Sequence, residues 1–145
     1  MDTERKNLNP LEWDYQAWRK FFRASALWNL SGAVPSIIWP ALNMSLFYGV
    51  ETTEYYTLFL NRGLWLAVLF FGIGYAIIST DPAKHWGIIV MGIIGKTAIA
   101  VMWFYAVFTG KATAMAFLAA FGDSAFTVLF VVYLVMGPRS AEDSA

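Results

Sequence analysis

Apolar residues in this chain run in four long stretches separated by short polar breaks at 48–56, 79–85 and 109–111. At a helical rise of about 1.5 Å per residue, each stretch is long enough to cross a hydrocarbon core of about 30 Å. The pattern predicts membrane helices over about 21–47 (to about Trp39, or on to Phe47 if Pro40 only kinks the helix), 57–78, 86–108 and 112–136. Within each, small and polar residues recur at helical spacing. Ser25, Asn29, Gly32, Ser36 and Asn43 make one stripe; Asn61, Trp65, Val68, Gly72, Tyr75 and Ser79 make the second. Gly92, Lys96, Ala100 and Trp103 make the third, and Ala116, Ala119, Ala120, Asp123 and Thr127 the fourth. Small residues let helices approach closely in lipid, and polar ones bond across the contact, so these stripes are expected to face inward.

Before the first stretch, Asn9-Pro10-Leu11-Glu12 reads as a helix start. Asn9 is the cap, Pro10 takes the first helical position, Glu12 completes a capping box, and Leu8 and Trp13 form a staple. Leu11, Tyr15, Trp18 and Phe22 then share one face, with Glu12, Gln16, Arg19, Lys20 and Arg23 on the others. That predicts an amphipathic helix over about 10–20 lying in the membrane interface. The alternative is a simple extension of the first membrane helix. Pro35 and Pro40 interrupt the first stretch; the carbonyls they free, on Ser31 and Ser36, need partners other than lipid. The N-terminus reads as retained, because it is polar and acidic and the first apolar run is too long for a signal segment. The expected architecture is a single all-α domain, residues 1–145: an up-down four-helix membrane bundle with an N-terminal interfacial helix.

Composition agrees. Hydrophobic residues make up 59% of the chain and charged ones only 14%, against about a quarter charged in a soluble domain. The formal net charge is zero, which leaves no electrostatic footprint for nucleic acid. There is no cysteine, so disulfides and thiolate metal sites are excluded. Arg5, Lys6, Arg19, Lys20, Arg23, Lys84 and Arg139 fall at one end of the expected bundle, against Lys111 and Arg62 at the other. The positive-inside rule then places both termini in the cytoplasm.

Two charges change the picture. Lys96 lies about ten residues, or about 15 Å, into the third stretch, and Asp123 lies at similar depth in the fourth. Each alone would cost about 2.5–3.5 kcal/mol at the membrane centre. Mutual pairing is the cheapest arrangement, with Asn29 or Tyr75 meeting spare hydrogen-bonding capacity and Arg62 either snorkelling to the headgroups or joining from its end. Such a pair serves either to fix helix register or to line a path for a headgroup, proton or ion. No histidine, metal-ligand cluster or nucleophile with a recognisable base accompanies it, which argues against an enzyme. No cofactor or metal is expected.

The layout of four helices in 145 residues, with Gly95-Lys96 in the third and Gly122-Asp123 in the fourth, resembles that of the DoxX-like bacterial inner-membrane proteins. That resemblance implies a bundle in the inner membrane and carries over no site residues. The chain is similar in size to small multidrug transporters, but those carry a carboxylate in their first helix and this one has none. Its tryptophans resemble those of the tryptophan-rich sensory proteins, which have five helices where four are expected here.

The leading expectation is a bundle that binds or transports a small amphiphile, with its headgroup near Lys96, Asp123, Asn29, Tyr75 and Arg62. The alternatives are a structural or accessory subunit of a membrane complex and a small proton-coupled transporter. The partners implied are membrane lipid, an amphiphilic ligand, and a second copy of the chain or another membrane protein.

Overall fold

Asp14 starts the first helix. Its carboxylate accepts a hydrogen bond from the Ala17 amide at 2.6 Å, which meets one of the free amides of a helix N-terminus. From there α1 (Tyr15–Ile38) runs without a break. The computed structural model describes residues 13–138, so the expected cap at Asn9–Glu12 lies outside the described residues. Residues 15–20, read from the sequence as part of a separate interfacial helix, are the first turns of α1.

Pro40 ends α1. The residue before a proline is pushed out of the α region, and Trp39 sits at φ −120°, ψ 66°. The chain turns by 116° into α2 (Pro40–Tyr48), whose last five residues, Met44–Tyr48, are wound as a π-helix. Of the two expected ends of the first span, about 39 or on to 47 past a kink, the structure has the first: a long helix ends at Ile38 and a short one folds across it. Buried polar groups hold the fold. Asn43 donates to Ser36 Oγ at 2.8 Å and accepts from Trp65 Nε1 at 2.9 Å, while Ser36 Oγ donates to the Gly32 carbonyl. Gly49, at φ 67°, closes α2 in the left-handed region that glycine favours.

Three further helices follow: α3 (Tyr55–Ile78), α4 (Trp86–Phe108) and α5 (Ala114–Met136). Glu54 caps α3 through the amides of Tyr56 and Thr57. Thr113 caps α5 and also donates, from both its amide and its hydroxyl, to the Phe47 and Leu46 carbonyls at the end of α2. At the opposite end, Arg19 Nε donates to the Ser79 carbonyl at 2.9 Å, and the Tyr15 hydroxyl donates to Asp81 in the α3–α4 turn. The start of α1, the ends of α3 and α5, and the Asp81 turn thus share one end of the bundle. The other end carries α2.

The long helices pack as two close pairs, α1 with α3 and α4 with α5. Small residues permit each approach. Gly72 faces Asn29 and Leu30, Gly32 faces Trp65, and Ala100, Ala116 and Ala120 are buried in the α4–α5 half of the bundle. The pairs meet through large rings: Trp18, Phe21 and Phe22 of α1 and Tyr75 of α3 interlock with Phe130 and Tyr133 of α5. Every stripe expected to face inward contributes buried residues, including Ser25, Asn29, Ser36, Asn43, Asn61, Trp65, Gly72, Tyr75, Gly92, Lys96, Ala116 and Ala120.

The outer surface is apolar, with Leu27, Phe59, Leu60, Phe70, Ile94, Val101, Phe121 and Val128 all exposed. A continuous surface of this kind marks a membrane-facing molecule. The molecule is an all-helical bundle in which α3, α4 and α5 are each long and apolar enough to cross a membrane. The bent α1–α2 pair makes a fourth such length if it is counted as one span.

Candidate functional site

Three helices contribute to one polar centre. Lys96 of α4 is 4% exposed, and its ammonium donates to Asp123 Oδ1 of α5 at 2.5 Å and to Asn29 Oδ1 of α1 at 2.9 Å. The pairing required by the cost of a buried charge is present. Asn29 is held for this role from behind, because its Nδ2 donates to the Val68 carbonyl of α3 at 3.2 Å. Gly72 allows it: a Cβ there would stand 3.1 Å from the Asn29 Cβ, so a larger residue would push α1 off the α3 backbone. The ammonium also lies 5.3 Å from the Tyr75 ring centroid and 5.2 Å from that of Phe126, within range of cation–π attraction.

Asp123 is held from a second side by Trp28. The indole Nε1 donates to Oδ1 at 3.1 Å, alongside the lysine. Gly122 makes room for that indole, since a Cβ at this position would come within 2.3 Å of the Trp28 ring. Both donors use Oδ1, so Asp123 Oδ2 accepts no hydrogen bond from the described residues. The carboxylate keeps 14% of its side-chain surface open.

That open surface faces two cavities. The larger, about 390 Å³, occupies the α2 end of the bundle and has Asp123 and Asn29 as its floor. Its walls are mostly apolar or aromatic and include Trp28, Trp39, Trp65 and Trp103. On one side the lining residues Ser31 and Pro35 of α1, Trp39 at its end, and Met115 and Leu118 of α5 are exposed, so the cavity opens sideways between α1 and α5. The smaller, about 60 Å³, lies on the other side of the polar centre toward α3 and α4. Asn29 and Asp123 line both cavities, whereas Lys96 and Tyr75 line only the smaller one.

Of the residues singled out from the sequence, Lys96, Asp123, Asn29 and Tyr75 come together. Tyr75 contributes its ring rather than its hydroxyl, which is buried with no hydrogen-bond partner among the described residues. Arg62 stands apart. It is exposed, and its Nε donates to the Ile37 carbonyl at 3.2 Å, one of the acceptors left free where α1 breaks before Pro40. Arg62 thus caps a helix end and takes no part in the polar centre. Two contributors escape the periodicity argument. Phe126 was legible as one turn from Asp123 on the same helix; Trp28 lies off the stripe of its own helix and reaches Asp123 only across the gap left by Gly122. No family model, no curated protein and no solved structure matches the chain.

Proposed function

We propose that this is a multi-pass protein of a cell inner membrane, with both termini cytoplasmic, that binds or moves a small amphiphile without transforming it. Three membrane-length helices, with the bent α1–α2 pair as a fourth if it is counted as one span, and the excess of Arg19, Lys20, Arg23 and Lys84 at the Asp81 end support the topology. The resemblance of the sequence layout to that of DoxX-like proteins supports the location. The observation that carries the functional reading is the cavity of about 390 Å³, apolar in its walls and polar only at a floor made by Asp123 and Asn29. Its volume falls in the range of small-molecule sites, about 300–1,000 Å³. A sideways opening suits a molecule that arrives from the bilayer, because its tail need never leave an apolar phase.

The test is occupancy. Protein released from membranes in a neutral maltoside detergent is expected to carry one amphiphile per chain by native mass spectrometry. Ala119→Trp, which fills the cavity from α5, is expected to lose it while keeping its thermal transition. An empty wild-type protein, or an adduct that survives Ala119→Trp, would remove the reading.

A further inference from the structure

Among the described residues, four of the chain's seven tryptophans line the larger cavity, together with one carboxylate and no basic side chain. Three of these features bear on the charge of what enters.

The first is the direction of the ion pair. Asp123 borders the cavity and Lys96 does not, so the pair is a dipole with its negative end toward the ligand. The second is how the polar lining is committed. The hydroxyls of Ser31 and Ser36, the amides of Asn29 and Asn43, and the indole N–H groups of Trp28 and Trp65 all donate within the protein. The remaining donors are second amide hydrogens and the indole N–H groups of Trp39 and Trp103, none of them charged. The strongest uncommitted group is an acceptor, Asp123 Oδ2. The third is the indoles themselves. The face of a tryptophan ring is the strongest cation–π surface among the side chains.

A wall of this composition attracts a cation and offers an anion nothing charged to pair with. We infer that the cavity is selective for organic cations: an amphiphile whose ammonium sits over the Asp123 floor among the indoles. This rests on the amphiphile reading above and narrows it to one charge class. The ammonium could be that of a single-chain amine or of a choline or ethanolamine lipid headgroup. Both present the same chemistry to the site.

The experiment uses two probes of one shape, radiolabelled lauroylcholine and its uncharged carbon isostere, 3,3-dimethylbutyl laurate. Binding is measured by equilibrium dialysis to the full-length protein in dodecyl maltoside micelles, with protein-free micelles subtracted. Lauroylcholine is expected to bind at one site, at least tenfold more tightly than the isostere. Trp39→Leu, at an exposed part of the lining, is expected to weaken the cation about three- to tenfold and leave the isostere unchanged. Lys96→Met/Asp123→Asn removes both charges without leaving either one buried alone, and is expected to lower the preference severalfold, to the part that the indoles alone supply. Competition by phosphatidylcholine added to the micelles would assign the headgroup of a lipid as a source; cation binding without competition would assign a single-chain amine.

Equal binding of the two probes would overturn the charge selectivity and leave an amphiphile site standing. Failure of both to bind folded protein, with no copurified amphiphile, would remove the amphiphile reading as well. An undiminished preference in the double variant would overturn the role of Asp123.

Discussion

The two ends of this bundle share the same four long helices, α2 is added at only one of them, and they hold their interiors differently. At the Asp81 end, Trp18, Phe21 and Phe22 of α1 interlock with Phe130 and Tyr133 of α5, and ring centroids lie 5.1–5.8 Å apart across the contacts Trp18–Tyr133, Phe21–Phe130, Phe22–Phe130 and Phe22–Tyr133. At the α2 end, the inward positions of α4 and α5 are Ala100, Ala116 and Ala120 with a single large ring, Trp103, and α1 and α5 stand apart around a cavity of about 390 Å³. Lys96, Asp123 and Asn29 mark the border. Large rings join the two helix pairs on one side of it. On the other side, small residues bring α4 against α5, and the pairs are bridged through α2, whose Phe47 packs on Trp65 of α3 and on Trp103 of α4, beside the cavity. Packing at one end holds the molecule together so that the other end can stay open.

Breaking the border should have the largest effect. Removing one partner of a buried ion pair costs about 3–5 kcal/mol, because the other charge is left without compensation. Asp123→Asn is expected to approach that range, since Lys96 is buried. Lys96→Met should cost less, since the Asp123 carboxylate borders an open cavity. The double variant should recover most of the loss. Thermal unfolding in maltoside micelles, run as a double-mutant cycle, reads the coupling; additive losses would mean that the charges act independently.

The contrast between the ends is sharpened by matched truncations. Phe130→Ala at the closed end removes a fully buried ring and is expected to cost about 3–5 kcal/mol. Leu118→Ala at the rim of the cavity removes an exposed side chain and should stay within about 0.5 kcal/mol. Equal losses in the same unfolding assay would show that the two ends are packed alike.

The smallest effect concerns the tie that anchors α1 to the α3–α4 turn. The Tyr15 hydroxyl first, and then Lys84 at 3.0 Å, donate to Asp81 and hold its carboxyl down at about 2. An unfolded aspartate titrates near about 3.9. The depressed value in the folded state means that the tie contributes fully above about pH 4 and is lost as pH falls toward 2. Tyr15→Phe should raise the Asp81 pKa and make stability less sensitive to pH across that window. A carboxyl titration followed by NMR checks both.

Much of the fold could be read from the chain because lipid is an unforgiving solvent. A stretch such as Trp86–Phe108 has few alternatives to a membrane helix once its backbone must bond to itself. Stripes at helical spacing identify inward faces for the same reason, and Lys96 in apolar surroundings requires a partner whose only comparable candidate is Asp123. The centre of the site was therefore legible. Its surroundings were not. Pro40 announces a break, but whether the chain kinks or turns by 116° depends on Asn43 reaching Ser36 and Trp65, and on Thr113 receiving the end of α2. Whether residues 15–20 lie apart in the interface or continue into α1 depends on Arg19 and Tyr15 finding the α3–α4 turn.

The sequence by itself determined that there is an all-helical membrane-type bundle, which helix faces turn inward, and that two charges must meet. Each of these follows from the cost of exposing a backbone or side-chain polar group to hydrocarbon, which a local pattern records. Only the tertiary structure decided that Arg62 caps a broken helix, that Trp28 crosses to Asp123 over Gly122, and that one oxygen of the carboxylate stays free above a hollow. Those outcomes depend on how far apart two helix pairs come to rest. That distance is set by side chains from several helices at once, and no single stretch of sequence contains it.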